Sequence, residues 1–166
     1  MFFIQVISRL FEPNTFANVN RNCKVILRNN LSEEVTLVRA NQWYGFVSPT
    51  ENGDFGDGNQ VAGIILQPRQ QQPREIFMRK RADNATGCTF TFVFEFPDGR
   101  QVSVYVSVGF NATNQYGCDS GDVRPQDIAH WDYAPGTQTF NYHGRRIEVN
   151  MDNESHAVCY ISFHAM

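Results

Sequence analysis

The sequence predicts an all-β protein, an antiparallel β-sandwich built as one domain. Apolar and polar residues alternate along several short segments, which is the period of a β-strand with one buried face. Turn-forming residues separate these segments at short intervals, as in sandwiches and barrels. The chain has 166 residues, of which 42% are hydrophobic. This length and composition suit a single domain with one sizeable core.

The chain divides into an N-terminal extension at residues 1–20 and a sandwich domain at residues 21–166. In the extension, Phe3, Ile7, Leu10 and Phe11 fall on one side of a helix. The same residues also suit an edge strand, so both structures stay open. The start lacks a basic region, and no stretch has the ~20 apolar residues of a membrane span. We expect a protein that is cytoplasmic or released without a conventional signal sequence, and that acts at target membranes.

Residues 88–96 and 101–108 give the clearest strand pattern and predict a β-hairpin. The first strand carries its phenylalanines on one face, with Thr91 on the other, which we expect to face solvent. Pro97-Asp98-Gly99 places proline and glycine where a three-residue loop favours them. Only an odd-length loop keeps apolar side chains opposite one another. The predicted pairs are Phe94 with Val102, Phe92 with Val104, and Phe90 with Val106.

Seven further segments have the composition of short strands. They are residues 23–28, 34–39, 43–47, 60–66, 74–79, 137–149 and 157–164. Turn residues such as Pro135-Gly136 and His143-Gly144 punctuate these segments. Residues 109–134 have no clear period, and we predict a long irregular connection there, either a binding loop or a packed Ω-loop.

Charge and motifs exclude several classes of function. The net charge of -3 and the pI near 5.8 remove the electrostatic attraction to phosphate backbones, so we expect no nucleic-acid partner. The sequence contains no GxSxG, HExxH or Walker motif, and we expect neither an enzyme nor a catalytic residue or cofactor.

Cysteines and sequons leave two questions open. Cys23, Cys88, Cys118 and Cys159 are too far apart for a CxxC metal knuckle, so we expect no metal site. Four cysteines permit three disulfide pairings, among which the sequence does not choose. Asn-X-Ser/Thr sequons begin at Asn30, Asn84, Asn111 and Asn153, and they are acceptors only in a secretory pathway.

Aromatic and basic clusters supply the candidate lipid- or glycan-binding residues. Tryptophan and tyrosine combine an apolar body with a polar tip, which suits both a membrane interface and stacking on sugars. A role in completing the core fits the same rings equally well. Arginines in the segment 74–81 are candidates for anionic headgroups or for a solvated strand end. The candidates are Trp43, Tyr44, Phe46, Tyr116, Trp131, Tyr133, Arg79 and Arg81.

Residues 22–166 resemble the aegerolysins in the order and spacing of their segments. The resemblance begins with the strand 25–30, the strand 35–38 and Trp43-Tyr44-Gly45. It continues through Glu75-Ile76-Phe77, the hairpin at 87–108, the loop 111–117 and the last strand at 157–163. The chain departs from the pattern at Met78-Arg79-Lys80-Arg81, where many fungal members have Cys-Gly-Arg, and at residues 1–20, which are an addition.

The resemblance implies a cytolysin-like β-sandwich that binds a sphingolipid- or sterol-containing bilayer. Aegerolysins often act with a larger pore-forming partner that carries a perforin-like domain, and the resemblance implies such a partner here. One alternative is a self-sufficient, actinoporin-like pore former that inserts its N-terminal segment. However, ten helical residues rise only ~15 Å, half of a ~30 Å hydrocarbon core. We therefore expect membrane binding without permeabilisation. A lectin of the actinoporin-like fold is the other alternative.

Overall fold

The computed structural model describes residues 21–81 and 86–166, which form two stacked six-stranded sheets and confirm the predicted β-sandwich. The strands are β1 (Asn22–Asn29), β2 (Val35–Tyr44), β3 (Phe46–Ser48), β4 (Ile64–Leu66), β5 (Arg74–Arg79), β6 (Cys88–Glu95), β7 (Gln101–Val108), β8 (Gln115–Ser120), β9 (Trp131–Tyr133), β10 (Gly136–Tyr142), β11 (Arg145–Met151) and β12 (His156–Ala165). Short 3₁₀ turns occupy Gly58–Gln60 and Pro125–Asp127. Within these described residues, no helix is long and apolar enough to cross a membrane.

The first sheet, sheet A, has the strand order β10-β11-β12-β1-β5-β3, and the second, sheet B, has the order β4-β2-β6-β7-β8-β9. Neighbouring strands are antiparallel except for β1 and β12, which pair in parallel at the centre of sheet A. Parallel neighbours need a long connection. Here that connection includes the whole of sheet B.

The β6–β7 hairpin has the predicted register. Phe94, Phe92 and Phe90 lie opposite Val102, Val104 and Val106. The turn also forms as predicted, because the Gly99 N–H donates to the Phe96 carbonyl at 2.9 Å. Gly99 has a φ of +84°, the left-handed conformation that its position in this loop requires.

The core lies between the two sheets. The ring of Phe163 from β12 meets Phe94 of β6 edge-to-face, with centroids 4.9 Å apart, and Phe96 at 6.0 Å. Such edge-to-face contacts favour a fixed packing of the two sheets beyond the area that they bury. The largest fully buried side chains include Phe90, Phe92, Phe94, Leu27, Leu37 and Ile147.

The prediction that β6 exposes one face is wrong, because the 121–128 segment covers that face at Thr91. The Thr91 hydroxyl donates to the Val123 carbonyl at 2.5 Å. Ser103 on β7 donates to the Gly121 carbonyl at 2.6 Å and accepts the Val123 N–H at 2.8 Å. The alternation along β6 therefore does not mark a solvent-exposed side, since Thr89, Thr91 and Val93 on its outer side are buried as well.

Several predicted segment boundaries are also wrong. Residues 109–134 are not one irregular connection, since they contain β8, β9 and a 3₁₀ turn. Gly117 and Asp119 in β8 hide its alternation. Residues 137–149 form two strands around His143-Gly144, whose φ values of +56° and +77° make a tight hairpin turn. Residues 60–66 contribute only β4. The predictions for residues 1–20 and the sequon at Asn84 lie outside the described residues.

The predicted strand 43–47 is divided at Gly45, where the chain passes from sheet B to sheet A. Gly45 has a φ of +83°, and a Cβ there would lie 2.4 Å from the Arg79 carbonyl oxygen and 2.8 Å from Cys88 Cβ. Both the conformation and the close approach require glycine. The crossing separates Trp43 and Tyr44, on sheet B, from Phe46, on sheet A.

Candidate binding site

A β-bulge near the end of β2 brings Trp43 and Tyr44 together. Neighbouring residues of a regular strand point to opposite faces. The pairing of β2 with β6 shifts register between Gln42 and Tyr44, so Trp43 is an extra residue. The two rings stack with centroids 5.2 Å apart and planes 19° from parallel. They are 43% and 42% exposed, and both line one groove.

The groove is a cavity of about 240 Å³ at the outer face of sheet B, and we call it the aromatic groove. Polar side chains of the central strands line it beside the two rings. The Thr89 and Ser107 hydroxyls lie 2.8 Å apart, and the Tyr105 hydroxyl donates to Gln115 Oε1 at 2.8 Å. Burial raises the pKa of Tyr105, which keeps its phenol protonated at neutral pH.

A second exposed aromatic pair, Trp131 and Tyr133, lies on the opposite edge of sheet B. Their rings meet edge-to-face at 5.1 Å. Trp131 is paired with Gly117, where a Cβ would come within 2.1 Å of the His130 carbonyl oxygen. The missing side chain lets β9 approach β8 closely.

Both aromatic pairs belong to the same face of sheet B. A cross-strand row joins them in register: Tyr44, Thr89, Ser107, Gln115 and Tyr133. Residues directly opposed across neighbouring strands share a face. Four strand spacings of ~4.8 Å put the two ends of this row ~19 Å apart. The outer face of sheet B thus has aromatic edges and a polar centre.

The other sequence-predicted residues lie elsewhere. Tyr116 is only 2% exposed, because its position in β8 points it into the core. Arg79 is 5% exposed, with its guanidinium 5.0 Å from the Phe46 ring centroid and 4.9 Å from that of Phe55. Burial lowers the pKa of Arg79. Arg81 is exposed and lies 5.7 Å from the half-buried Phe46 ring. These residues form no common site with the aromatic groove.

Sequence reasoning missed the polar lining of the groove and Phe110, an exposed ring at its rim. The sequence contains part of the pattern that would have identified these lining residues. Thr89, Tyr105 and Ser107 occupy the positions of the hairpin that alternate with the core residues. Their convergence with Trp43 depends on the bulge and on strand order, which the sequence pattern does not reveal.

All four cysteines are free and buried, in the core between the sheets. Burial raises the pKa of the Cys88 thiol to about 12 and raises the pKa of the other three as well. These thiols are therefore protonated and unreactive in the folded protein.

Ser120 and His143 make a serine–histidine contact that cannot activate the serine. The Ser120 hydroxyl lies 2.9 Å from His143 Nε2, and Arg100 Nη1 lies 3.3 Å from His143 Nδ1. Because a guanidinium only donates, Nδ1 must accept and the ring proton lies on Nε2. That nitrogen also lies 3.2 Å from the Gln101 carbonyl. It is a donor and cannot take the serine proton.

The fold is an aegerolysin-like β-sandwich, as the sequence resemblance predicted. No family profile and no curated protein matches the chain by sequence. Among solved structures, the lipid binding protein Nakanori is 14% identical, with a TM-score of 0.68 over 97% of this chain and 79% of its own. IP-1A from Alcaligenes faecalis is 9% identical, with a TM-score of 0.61 over 92% and 94%.

A lectin also shares the fold. The Xerocomus chrysenteron lectin XCL, in a mutated form, is 12% identical, with a TM-score of 0.53 over 86% of this chain and 97% of its own. At these identities the likeness concerns the fold, and function has to be argued from the site.

Proposed function

We propose that this chain is a non-catalytic binding protein that recognises a membrane lipid through the aromatic groove. The observation that carries the proposal is the stacked, exposed Trp43–Tyr44 pair over a groove lined with hydroxyl and amide groups. Such rings place an apolar body in the interfacial region of a bilayer. The hydroxyl and amide groups of Ser107, Tyr105 and Gln115 then meet the headgroup. Nakanori, which shares the fold, is a lipid binding protein.

Lectin activity is the second candidate, and the same groove favours it. Aromatic rings beside hydroxyls and amides also suit a sugar, which offers apolar faces for stacking and hydroxyls for hydrogen bonds. XCL, which shares the fold, is a lectin. The tautomer of His143 argues against a serine nucleophile at Ser120 in both cases.

Liposome co-sedimentation tests the lipid-binding proposal. The purified chain is mixed with phosphatidylcholine vesicles that carry a sphingolipid, a sterol or an anionic lipid, and in parallel with a glycan array. We expect the double variant Trp43→Ala/Tyr44→Ala to lose at least about tenfold in vesicle affinity. Tyr160→Ala is the matched control, because Tyr160 is 48% exposed on β12 of the other sheet. Glycan binding without vesicle binding would favour the lectin.

The proposal includes a larger, perforin-like partner that forms the pore. It rests on the resemblance of residues 22–166 to the aegerolysins, which often act with such a partner. In a dye-release assay we expect the chain alone to bind vesicles without releasing their contents. Release by the chain alone, abolished by deletion of residues 1–12, would instead establish the actinoporin-like mechanism.

A further inference from the structure

A second, polar cavity of about 420 Å³ lies next to the aromatic groove, between the 109–114 loop and the 152–155 loop. Gly109, Ala112 and Thr113 line both spaces, so the loop forms a ridge between them. The volume falls in the range of small-molecule sites, about 300–1,000 Å³. Among the residues that the structure describes, its lining contains no aromatic ring and differs in this from the groove.

Hydrogen bonds between the two loops fix the walls of this cavity. Asn114 is buried, and its Nδ2 donates to the carbonyls of Asp152 at 3.1 Å and Glu154 at 2.9 Å. The Asn114 N–H donates to Asn153 Oδ1 at 2.9 Å. A site held in this way binds without a large ordering cost.

The lining chemistry suits a neutral, hydroxyl-rich group. Besides hydroxyl and amide groups, the described part of the lining has one cationic and one anionic side chain, Arg21 and Glu154. The carboxylate would repel an anionic headgroup, and the guanidinium would repel a cationic one. A sugar hydroxyl both donates and accepts hydrogen bonds. It can therefore donate to a carboxylate, accept from a guanidinium, and bond with the hydroxyls of Thr113 and Ser155 as well.

We propose that the polar cavity is a saccharide subsite, and that the ligand is a neutral glycolipid. Its sugar occupies the polar cavity, and the part next to the bilayer crosses the ridge at Ala112 into the aromatic groove. The Arg21 guanidinium, 5.7 Å from the Phe110 ring centroid, joins the two spaces at this ridge. The inference rests on the proposed function and names the lipid class.

The test compares phosphatidylcholine–cholesterol vesicles that carry glucosylceramide, galactosylceramide, ceramide or sphingomyelin. The protein is made in bacteria, because Asn111 and Asn153 begin sequons in the cavity wall. We expect Thr113→Val/Glu154→Ala to weaken binding to one of the glycosylceramides about tenfold, with Glu51→Ala unchanged as an exposed control. The corresponding methyl glycoside should compete with the vesicles.

The outcomes separate this inference from the proposed function. Binding to sphingomyelin or ceramide vesicles that is lost in the Trp43→Ala/Tyr44→Ala variant but not in Thr113→Val/Glu154→Ala would overturn the glycolipid and keep lipid recognition. Glycan binding without any vesicle binding would overturn the glycolipid and the membrane role together. Retention on none of the vesicles and none of the glycans would overturn both proposals.

Discussion

At the scale of single residues, Arg145 at the start of β11 ties the β1–β2 loop and the β6–β7 turn to sheet A, at the end of the sandwich away from the aromatic groove. Its Nε donates to Glu33 at 2.7 Å, its Nη1 donates to Asp98 at 2.9 Å, and its guanidinium lies 4.2 Å from the Phe96 ring centroid. Asp98 also accepts the Arg100 N–H at 3.0 Å within the β6–β7 turn. One cation thus holds a hairpin loop against sheet A.

This arrangement predicts a defined pH dependence of stability. The hydrogen bond from Arg145 lowers the pKa of Asp98 below its ordinary value of 3.8. Because the folded pKa is the lower one, the stabilisation is complete above the unfolded value and is lost as the pH falls through the folded value. We expect the urea midpoint of the wild type to fall more between about pH 6 and about pH 3 than that of Asp98→Asn.

Asp54→Asn is the control for this experiment, since Asp54 is an exposed carboxylate in the loop between β3 and β4. This substitution should leave the difference in urea midpoint between the two pH values the same as in the wild type. Asp98 is partly solvated, with 48% of its side chain exposed, so added salt should reduce the effect of the substitution. Identical pH profiles for Asp98→Asn and the wild type would show that the ion pair does not contribute.

At the scale of elements, the hairpin shows what a sequence pattern can and cannot reveal. Alternation and turn chemistry were sufficient to predict the register of β6 and β7, because a slip of one residue would bury polar side chains against phenylalanine. The same alternation led to the wrong prediction that Thr91 faces solvent, whereas its side chain is buried. Whether a polar face meets water or another segment depends on tertiary structure, and here residues 121–128 lie over it.

The two faces of β6 predict a graded series of stabilities. Phe92→Ala should cost ~3–5 kcal/mol of unfolding free energy through the cavity that it leaves. Thr91→Val keeps the volume but leaves the Val123 carbonyl with a 3.4 Å contact from Asn41 Nδ2, and it should cost ~1 kcal/mol. Chemical denaturation measures both. Thr139→Ala, on the exposed side of β10, should stay within about 0.5 kcal/mol.

Equal costs for Phe92→Ala and Thr91→Val would contradict the assignment of the first to the core and of the second to a covered polar face. A cost for Thr91→Val no larger than that of Thr139→Ala would show that the 121–128 segment does not depend on this hydrogen bond.

The candidate site shows the same division between pattern and tertiary structure. The sequence was sufficient to single out Trp43 and Tyr44 as candidate binding residues, but it left a role in the core open, and only the structure shows that both rings are exposed. It also included Tyr116, because β8 lacks a readable period, and Arg79, because a basic segment is expected to be solvated. The phenylalanines around Arg79 come from β3 and from the loop after it, and no local pattern predicts that enclosure.

At the scale of the whole molecule, the sandwich has two unlike ends. The aromatic groove and the polar cavity lie where β2 and β7 end and β6 and β8 begin. The Arg145 network lies ~24 Å away, at the opposite ends of the same strands. The proposed recognition site thus lies at one end, while ion pairs of Arg145 with Glu33 and Asp98 close the other end. Such polarity fits a protein that meets a surface in one orientation.

Both tryptophans of the chain lie on the outer face of sheet B, which makes their fluorescence a direct test of that orientation. Trp131→Phe and Trp43→Phe each leave a single tryptophan, at the groove and at the opposite edge respectively. With vesicles that the wild type binds, both emissions should shift to the blue and be quenched by brominated lipid, since each ring enters the interface. Trp43 should respond more strongly, because it lines the groove. Vesicles without the bound lipid are the control and should change neither spectrum. Co-sedimentation with no change at either tryptophan would mean that another face of the sandwich meets the bilayer.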